Sequence, residues 1–270
     1  MLLSILELQY KELVVIQKAF YNKFKQDLGS SDAINEYIEV LLRQFESYTS
    51  DESSFQSIAS RYGIRVNDVS PQVAICKIRE YYIVSVYQVF EEFLNQMHAF
   101  LKEYGVYKEN KDSSTSMLKH IHVNLVGMKK TSENAYLYYL ICDYYRLIRN
   151  LCAHTDNINK AQNVYQKLFE RKDEINVLFQ KLQAPNRYDN INFDDFILYS
   201  RASKKLAEIY RSNIEYDIDK IITNFDIGHL RVYRNNPKRL SKALETEIKF
   251  NFCMKPETVK MVVDMIVKMI

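Results

Sequence analysis

Glycine and proline are scarce in this chain, and this shortage limits the folds that the chain can adopt. The 270 residues include 5 glycines and 4 prolines, so tight turns and strand corners have few positions at which to form. Apolar residues recur every three or four positions through most of the chain, whereas no segment alternates cleanly as a strand would. The sequence therefore predicts an all-α protein.

The first seventy residues are predicted to form a helical extension. Apolar residues follow a helical spacing from Leu3 to about Phe24. The polar cluster at residues 29–32 then indicates the end of that helix and the start of another, with Asp32 as the N-cap. Residues 1–70 are therefore predicted to be one structural segment.

Residues 71–227 are predicted to form a helical core. Ser70-Pro71 opens a long amphipathic helix that ends near Gly105, because proline suits the first turn of a helix. Later in this range, the apolar spacing predicts one helix from Asn159 to about Leu182 and another from Phe193 to about Phe225.

The most informative motif lies at the end of a tyrosine-rich apolar helix. This helix is predicted to begin at Thr131-Ser-Glu-Asn134 and to end just past His154, and its final turns carry Arg149 and Asn150. An arginine can neutralise a phosphate through paired hydrogen bonds, and a histidine can transfer a proton near neutral pH. These are the groups that RNA cleavage without a metal ion requires.

Helical geometry separates the arginine of this motif from the histidine. An ideal helix turns by about 100° per residue, so Asn150 and His154 lie on one face of it. Arg146 and Asp143 lie on the same face. Arg149 points roughly 140° away from His154. The two groups would meet if the helix unwinds near its end or if two copies of the chain face one another. If they do not form such a site, Arg149 and His154 would be positively charged residues at the C-terminal end of the helix, where the helix dipole favours them. Arg146 and Asp143 are expected to form an intrahelical salt bridge.

The arrangement Arg149-Asn150-x-x-x-His154, on an apolar helix that follows an earlier long helix, resembles the HEPN superfamily of helical ribonucleases. The resemblance covers residues 71 to about 225 and includes Phe-Asp-Asp-Phe-Ile-Leu at the start of the last core helix. It implies a HEPN-like helical bundle with helical N- and C-terminal extensions. The family often uses a supporting acidic residue from the earlier helix, where the candidates are Glu91 and Glu92. Asp143 and Arg146 on the motif helix are further supporting candidates.

The resemblance implies a homodimer in which both copies of the motif share one cleft. His154 would act as general base on the ribose 2′-hydroxyl or would protonate the leaving 5′-oxygen. Arg149 would stabilise the charge that develops on the phosphorane, and Asn150 would orient the phosphate or the histidine. The expected products are a 2′,3′-cyclic phosphate and a 5′-hydroxyl, formed without metal or other cofactor. Such proteins are commonly toxins or anti-phage effectors that an antitoxin or regulatory partner holds in check.

Two other classes of protein fit the same sequence. One is a catalytically inactive HEPN-like module that binds nucleotides or acts as a scaffold in a two-component system. The other is a purely structural helical adaptor, which the polar residues on an otherwise apolar helix make less attractive. The intact motif favours the enzyme.

Charge restricts where RNA could bind. The net charge is +3, so contacts with RNA must come from local patches. Residues 228–270 are predicted to form a basic loop and two helices, split near Pro256. The loop carries four cations and an aromatic residue, a composition suited to an RNA backbone. These candidate RNA-binding residues are Arg231, Arg234, Lys238 and Arg239.

The remaining sequence features indicate a cytoplasmic protein without a metal site. The N-terminus lacks the basic leader of a secretion signal, and charged residues interrupt every long apolar segment. His120 and His122 lie two residues apart, a spacing that suits a metal only on a strand or loop. The cysteines show no metal-binding spacing and are interpreted as buried thiols in a reducing compartment. They are Cys76, Cys142, Cys152 and Cys253.

Overall fold

The helical class predicted from the sequence is confirmed by a computed structural model of the chain. The structure describes residues 17–48, 52–65, 70–107, 115–127, 133–153, 158–180, 182–252 and 254–269. In these residues the only β-type pairing is an isolated bridge between Gly105 and Tyr216. The HEPN-like arrangement of the helices stays a prediction. The helices are α1 (Gln17–Tyr48), α2 (Glu52–Arg61), α3 (Pro71–Tyr104), α4 (Met117–Leu125), α5 (Glu133–Ala153), α6 (Ile158–Phe169), α7 (Lys172–Phe179), α8 (Phe193–Ser212), α9 (Ile218–Asn224), a 3-10 helix (Gly228–Tyr233), α10 (Pro237–Asn251) and α11 (Pro256–Met269).

The chain divides into two compact units, each assembled from separated stretches of sequence. Of the described residues, those between 26 and 90 and between 133 and 206 form one unit, and those in 17–25, 91–127 and 207–269 form the other. We call them the motif unit and the terminal unit, because the first contains α5 and the second contains the start of α1 and the end of α11. The predicted division of the chain at residues 70 and 228 stays a prediction, since compactness does not test which segments form a HEPN-like core.

In the motif unit, α5 is buried along most of its length. Leu137, Ile141 and Tyr145 of this helix have no accessible surface. The Tyr145 ring stacks on Tyr199 of α8, with ring centroids 5.1 Å apart, and α5 also packs against α6. A helix with nearly all its faces buried needs apolar residues all round, which explains the run of tyrosine, leucine and isoleucine in its sequence.

The terminal unit has an aromatic core. Phe93 and Phe100 of α3 contact Phe20 of α1 at centroid distances of 5.7 and 5.8 Å. Phe252, which follows α10, contacts both Phe100 and Tyr104. These rings bury large apolar areas, and their tilted and edge-on geometries add a favourable quadrupole interaction.

The predicted break in the first helix is wrong, because α1 continues through it. Ser30 at that point donates its hydroxyl to the Gln26 carbonyl one turn earlier, at 3.0 Å. Asp32 is not an N-cap: its Oδ2 accepts from Ser200 at 2.8 Å and from Lys204 Nζ at 2.6 Å, both on α8. Tertiary contacts of the motif unit therefore use the polar side chains that local rules assign to a helix end. The start of the predicted helix at Leu3 lies outside the described residues.

Two predicted single helices are each divided in two. The segment from residue 159 to 182 turns at Glu170–Arg171, where the Arg171 carbonyl begins α7 by accepting from the Ile175 amide at 3.1 Å. The segment from 193 to 225 breaks after Ser212. In the terminal unit the Val106 amide donates to the Glu215 carbonyl and the Asp217 amide donates to the Tyr104 carbonyl. These long-range hydrogen bonds pair backbone N–H and C=O groups that would bond within the helix if it continued past Ser212.

Candidate active site

The candidate active site begins at the C-terminal turns of α5. The helix begins at Glu133 and is described to Ala153, in agreement with the predicted element. Its predicted N-terminal residues, Thr131 and Ser132, and the predicted catalytic His154 lie outside the described residues. The structure therefore positions Arg149 and Asn150 but does not test the predicted angular separation of Arg149 from His154.

The Arg149 side chain is half-buried and held by two neutral groups. Its guanidinium carbon lies 4.7 Å from the centroid of the Tyr87 ring on α3. Its Nη1 donates a hydrogen bond of 3.2 Å to Oδ1 of Asn150. In the part of the chain that the structure describes, no carboxylate lies within ion-pairing distance of Arg149. The ring fixes the guanidinium without cancelling its charge.

The neighbouring arginine has the opposite environment. Arg146 forms the predicted intrahelical salt bridge with Asp143, at 2.8 Å. The side chains are 20% and 16% exposed, so the pair is shielded from solvent and its charges largely cancel. Of these two arginines, Arg149 is thus the one suited to bind an external anion.

Four of the partly accessible residues of α5 form a narrow strip along one side of the helix. Tyr136, Asp143, Arg146 and Asn150 are half-buried, and they follow one another at spacings of seven, three and four residues. Such spacing places them on one side of the helix. The strip is the side of α5 that its own unit leaves partly uncovered.

A cavity of about 360 Å³ adjoins the last turns of α5. Ile148, Leu151 and Cys152 of α5 form one wall, and Ile158 of α6 adds to the apolar lining. Two polar lining residues, Lys77 and Glu80 of α3, were not predicted from the sequence. Their three-residue spacing is typical of an ion pair on a helix, and Lys77 Nζ lies 2.8 Å from a Glu80 carboxylate oxygen. The further polar lining residues are Tyr188 and Asp189.

The loop that supplies Tyr188 and Asp189 is anchored by a buried carboxylate. Asp195, at the start of α8, has no accessible surface. It accepts from the amide and side chain of Asn186, each at 2.8 Å, from the Asn192 amide at 2.9 Å and from the Tyr145 hydroxyl at 2.8 Å. Burial raises the pKa of Asp195, and these hydrogen bonds oppose the rise. Part of the tyrosine excess on α5 therefore serves to hold this loop.

The cysteines correct one prediction and limit the chemistry of the cavity. Cys142 is buried as predicted, but Cys76 and Cys152 are exposed, and Cys253 lies outside the described residues. Although Cys152 is exposed overall, desolvation of its thiol and the neighbouring Glu80 raise its pKa to about 11. The Cys152 thiol is consequently a poor nucleophile near neutral pH.

The two acidic candidates from α3 belong to the terminal unit. Glu91 is half-buried, whereas Glu92 is exposed and accepts a hydrogen bond of 2.6 Å from Gln96. Neither observation selects one of them as the supporting acid, so both stay candidates.

The predicted basic loop is mostly helical. Arg231 lies in the 3-10 helix, Arg234 follows it, and Lys238 and Arg239 lie in the first turn of α10. All four of these side chains are exposed, and Tyr233, the aromatic residue between Arg231 and Arg234, is half-buried. Asn236 and Pro237 explain the difference from the sequence prediction, because Asn236 caps α10 by accepting from the Arg239 amide and Pro237 occupies its first position.

The paired histidines have a structural explanation. His120 and His122 lie on α4, where two residues of separation point them to different sides. Nδ1 of buried His122 is 3.1 Å from the Tyr210 hydroxyl, and burial lowers the pKa of His122 to about 4. Among the described residues, no group of three or more histidines, cysteines and carboxylates has the geometry of a metal site.

None of the described helices is long and apolar enough to cross a membrane. Comparisons of the chain with known protein families, curated proteins and solved structures found no match.

Proposed function

We propose that this protein is a metal-independent endoribonuclease that uses Arg149 and His154. The observation that carries this proposal is the environment of Arg149: a half-buried guanidinium, fixed by a tyrosine ring and an amide oxygen, with no carboxylate among the described residues to neutralise it. Arginine in such a setting is suited to bind a phosphate or a phosphorane. The resemblance of the motif to HEPN ribonucleases supplies the reaction class.

The proposed reaction is an internal transfer within RNA. His154 removes the proton from a ribose 2′-hydroxyl, and the 2′-oxygen attacks phosphorus. The bond from phosphorus to the 5′-oxygen breaks, the leaving 5′-oxygen takes a proton from solvent water, and His154 returns its proton to solvent. Arg149 stabilises the added negative charge on the phosphorane. Because Oδ1 of Asn150 accepts from Arg149, its side-chain amide group is available to donate to a phosphate oxygen. The fragments carry a 2′,3′-cyclic phosphate and a 5′-hydroxyl.

We further propose that two copies of the chain form the complete site. The partly uncovered side of α5 carries Asp143, Arg146 and Asn150, and a partner α5 would cover it. Two facing copies would bring the arginine of one chain towards the histidine of the other, which overcomes their separation of roughly 140° on one ideal helix. Sedimentation velocity tests this step: a dimer is expected, and full activity in a sample that is monomeric at the assay concentration would contradict it.

The resemblance also supports a biological role. HEPN ribonucleases of this type commonly act as toxins or anti-phage effectors in the cytoplasm, under the control of an antitoxin or another regulatory protein. A free ribonuclease of this kind damages its own cell, so we propose a partner that restrains it. Expression of the chain alone is expected to slow growth of the host, and expression of the His154→Ala variant is expected to relieve this effect.

Cleavage of RNA in the presence of a chelator tests the enzymatic proposal. Purified protein is incubated with total RNA and excess EDTA, and compared with the variants Arg149→Ala and His154→Ala. We expect cleavage in EDTA and a loss of at least about 100-fold in both variants, in line with the removal of a general base or an electrostatic stabiliser.

A matched control separates this chemistry from a general loss of positive charge. Arg171 lies in the same unit and forms an exposed ion pair with the nearby Glu174. The Arg171→Ala variant removes the same charge and should cleave RNA like the unmodified protein. Cleavage that stops in EDTA, or that survives in both motif variants, would contradict the proposal.

A second candidate function is a catalytically silent nucleotide-binding module. The cavity of about 360 Å³ beside α5 favours it, because apolar walls combined with the Lys77–Glu80 pair and Tyr188 suit a base with polar edges. Isothermal titration with nucleoside monophosphates tests this candidate. Saturable binding by the protein and by Arg149→Ala, together with no cleavage of RNA, would favour the silent module over the enzyme.

A further inference from the structure

A groove with basic walls lies between the 3-10 helix Gly228–Tyr233 and α10 in the terminal unit. It has a volume of about 450 Å³. Leu230 and Ala243 form its apolar lining. Leu230 of the 3-10 helix and Leu240 of α10 are buried in the core of the terminal unit. Arg239, Lys242 and His229 contribute cationic or titratable groups to its walls. A concave surface with an apolar floor and cations around it differs from a plain solvated charge run.

Positive charge is concentrated in the chain segment that carries this groove, although only Arg239 and Lys242 of its lysines and arginines line the groove and Glu247 lines it too. Residues 229–244 contain five lysines and arginines and no aspartate or glutamate. The whole chain has a net charge of only +3, so acidic residues elsewhere balance most of its cations. A local excess of this size attracts a polyanion, although the protein as a whole is nearly neutral.

The groove also holds its arginine in a defined position. The guanidinium carbon of Arg239 lies 5.2 Å from the centroid of the Tyr233 ring. The acidic residue of the groove, Glu247, lies 3.2 Å from Nε2 of His229, so its charge is directed to the histidine. The guanidinium of Arg239 is thus fixed by an aromatic face and keeps its charge for a ligand, as Arg149 does in the motif unit.

We propose that this groove binds the backbone of single-stranded RNA. Phosphates would contact Arg239 and Lys242, which lie three residues apart on one side of α10. A base would pack against the half-buried Tyr233 ring, since aromatic residues beside cations are the usual platform for unpaired bases. This inference goes beyond the proposed function, because binding at the groove requires neither Arg149 nor His154.

Fluorescence anisotropy with full-length protein tests the proposal. The probe is a labelled RNA of about 12 nucleotides with 2′-O-methyl riboses, which has no free 2′-hydroxyl and so cannot be cleaved by the proposed reaction; its length is in the range that single-stranded binding sites occupy. The double variant R239Q/K242Q is compared with K255Q/K260Q, which removes the same charge from two exposed lysines of the same unit outside the groove. Circular dichroism of each variant establishes that it is folded.

We expect the groove variant to bind at least about 10-fold more weakly, and the control variant to stay within about 3-fold of the unmodified protein. The dependence of affinity on salt should also fall in the groove variant, by about 0.7 in the logarithmic slope for each lost phosphate contact. The variant Tyr233→Leu should weaken binding with little change in this slope, because it removes a stacking surface and no charge.

Three results would overturn the proposal. Equal weakening in R239Q/K242Q and K255Q/K260Q would mean that only net charge matters. Displacement of the RNA by uridine monophosphate at equal concentrations of nucleotide units would assign the groove to free nucleotides. Equally effective displacement by polyglutamate would assign it to acidic peptides. Because the probe cannot be cleaved, loss of binding here is distinguishable from failure of the proposed ribonuclease activity.

Discussion

The guanidinium of Arg149 lies over the face of the Tyr87 ring, 4.7 Å from its centroid, and joins the last turns of α5 to the long helix α3. Arg146, only one turn earlier on α5, is instead neutralised by Asp143. Two arginines three residues apart thus have different chemical roles, which the sequence of the helix does not distinguish. The aromatic support makes Arg149 the better candidate for contact with a phosphate.

Removal of the Tyr87 ring should weaken catalysis without unfolding the protein. A cation–π contact of this kind contributes about 1 kcal/mol, so Tyr87→Leu is expected to lower the rate of RNA cleavage by about 5-fold. Tyr87→Phe keeps the ring and should retain most of the activity. The rates of RNA cleavage under single-turnover conditions measure both effects.

Tyr81 provides the control for this experiment, because it lies on the same helix and is 67% exposed. Tyr81→Leu should leave the rate unchanged. If Tyr81→Leu and Tyr87→Leu slow cleavage equally, or if Tyr87→Phe is as slow as Tyr87→Leu, the ring does not act through Arg149.

Loss of the Asp195 carboxylate should destabilise the motif unit. Asp195→Ala would leave buried donors on Asn186, Asn192 and Tyr145 without their acceptor, and we expect a cost of about 3 kcal/mol in the free energy of unfolding. Urea denaturation measures this cost. Asp264→Ala, at an exposed position of α11, should change stability by less than about 0.5 kcal/mol, and equal effects of both substitutions would contradict this account.

Stability should fall as the pH drops below about 6.5, the ordinary pKa of a histidine side chain, partly because of His122. Burial lowers the pKa of His122 to about 4 in the folded protein, so between these two values the unfolded chain binds a proton that the folded chain excludes. Protonation therefore favours the unfolded state, and the loss from about pH 7 to about pH 5 is about 2 kcal/mol. Urea denaturation of His122→Leu at both values should show a correspondingly smaller pH dependence. The same pH dependence in both proteins would show that His122 is not responsible.

Asp32 should stabilise the protein through α8 and not as a helix cap. Its contacts with Ser200 and Lys204 lie within the motif unit, so a double-mutant cycle between Asp32→Ala and Lys204→Ala is expected to give a coupling of about 0.5–1 kcal/mol. Thermal or urea unfolding of the four proteins measures it. A coupling of zero would contradict a stabilising contact between Asp32 and Lys204.

The sequence predicted those elements whose signals are local and strong. Ser70-Pro71 and the apolar spacing after it predicted α3 almost to the residue, since its final helical residue is Tyr104 and the prediction placed the end near Gly105. The salt bridge between Asp143 and Arg146 likewise depends only on spacing along one helix. Both features are determined by neighbours in the chain.

Features that depend on distant residues were not predictable from spacing. The polar cluster around Asp32 has the composition of a helix boundary. The helix continues through it, and Ser31 hydrogen-bonds to Ser85 while Oδ2 of Asp32 accepts from Ser200 and Lys204 of α8. The support of Arg149 by Tyr87 depends on how two helices pack. The same limit applies to the cavity beside α5, whose lining comes from four separate segments of the chain.

Attack by the 2′-hydroxyl is the step that separates the proposed reaction from other routes of RNA cleavage. A labelled RNA oligonucleotide that the protein cleaves is compared, in EDTA, with the same oligonucleotide carrying a single 2′-deoxy substitution on the 5′ side of the cleaved bond. We expect a 2′,3′-cyclic phosphate and a 5′-hydroxyl at the cut, and no cleavage at the substituted position. Cleavage of the 2′-deoxy position, or fragments with 5′-phosphate ends, would contradict the roles proposed for Arg149 and His154.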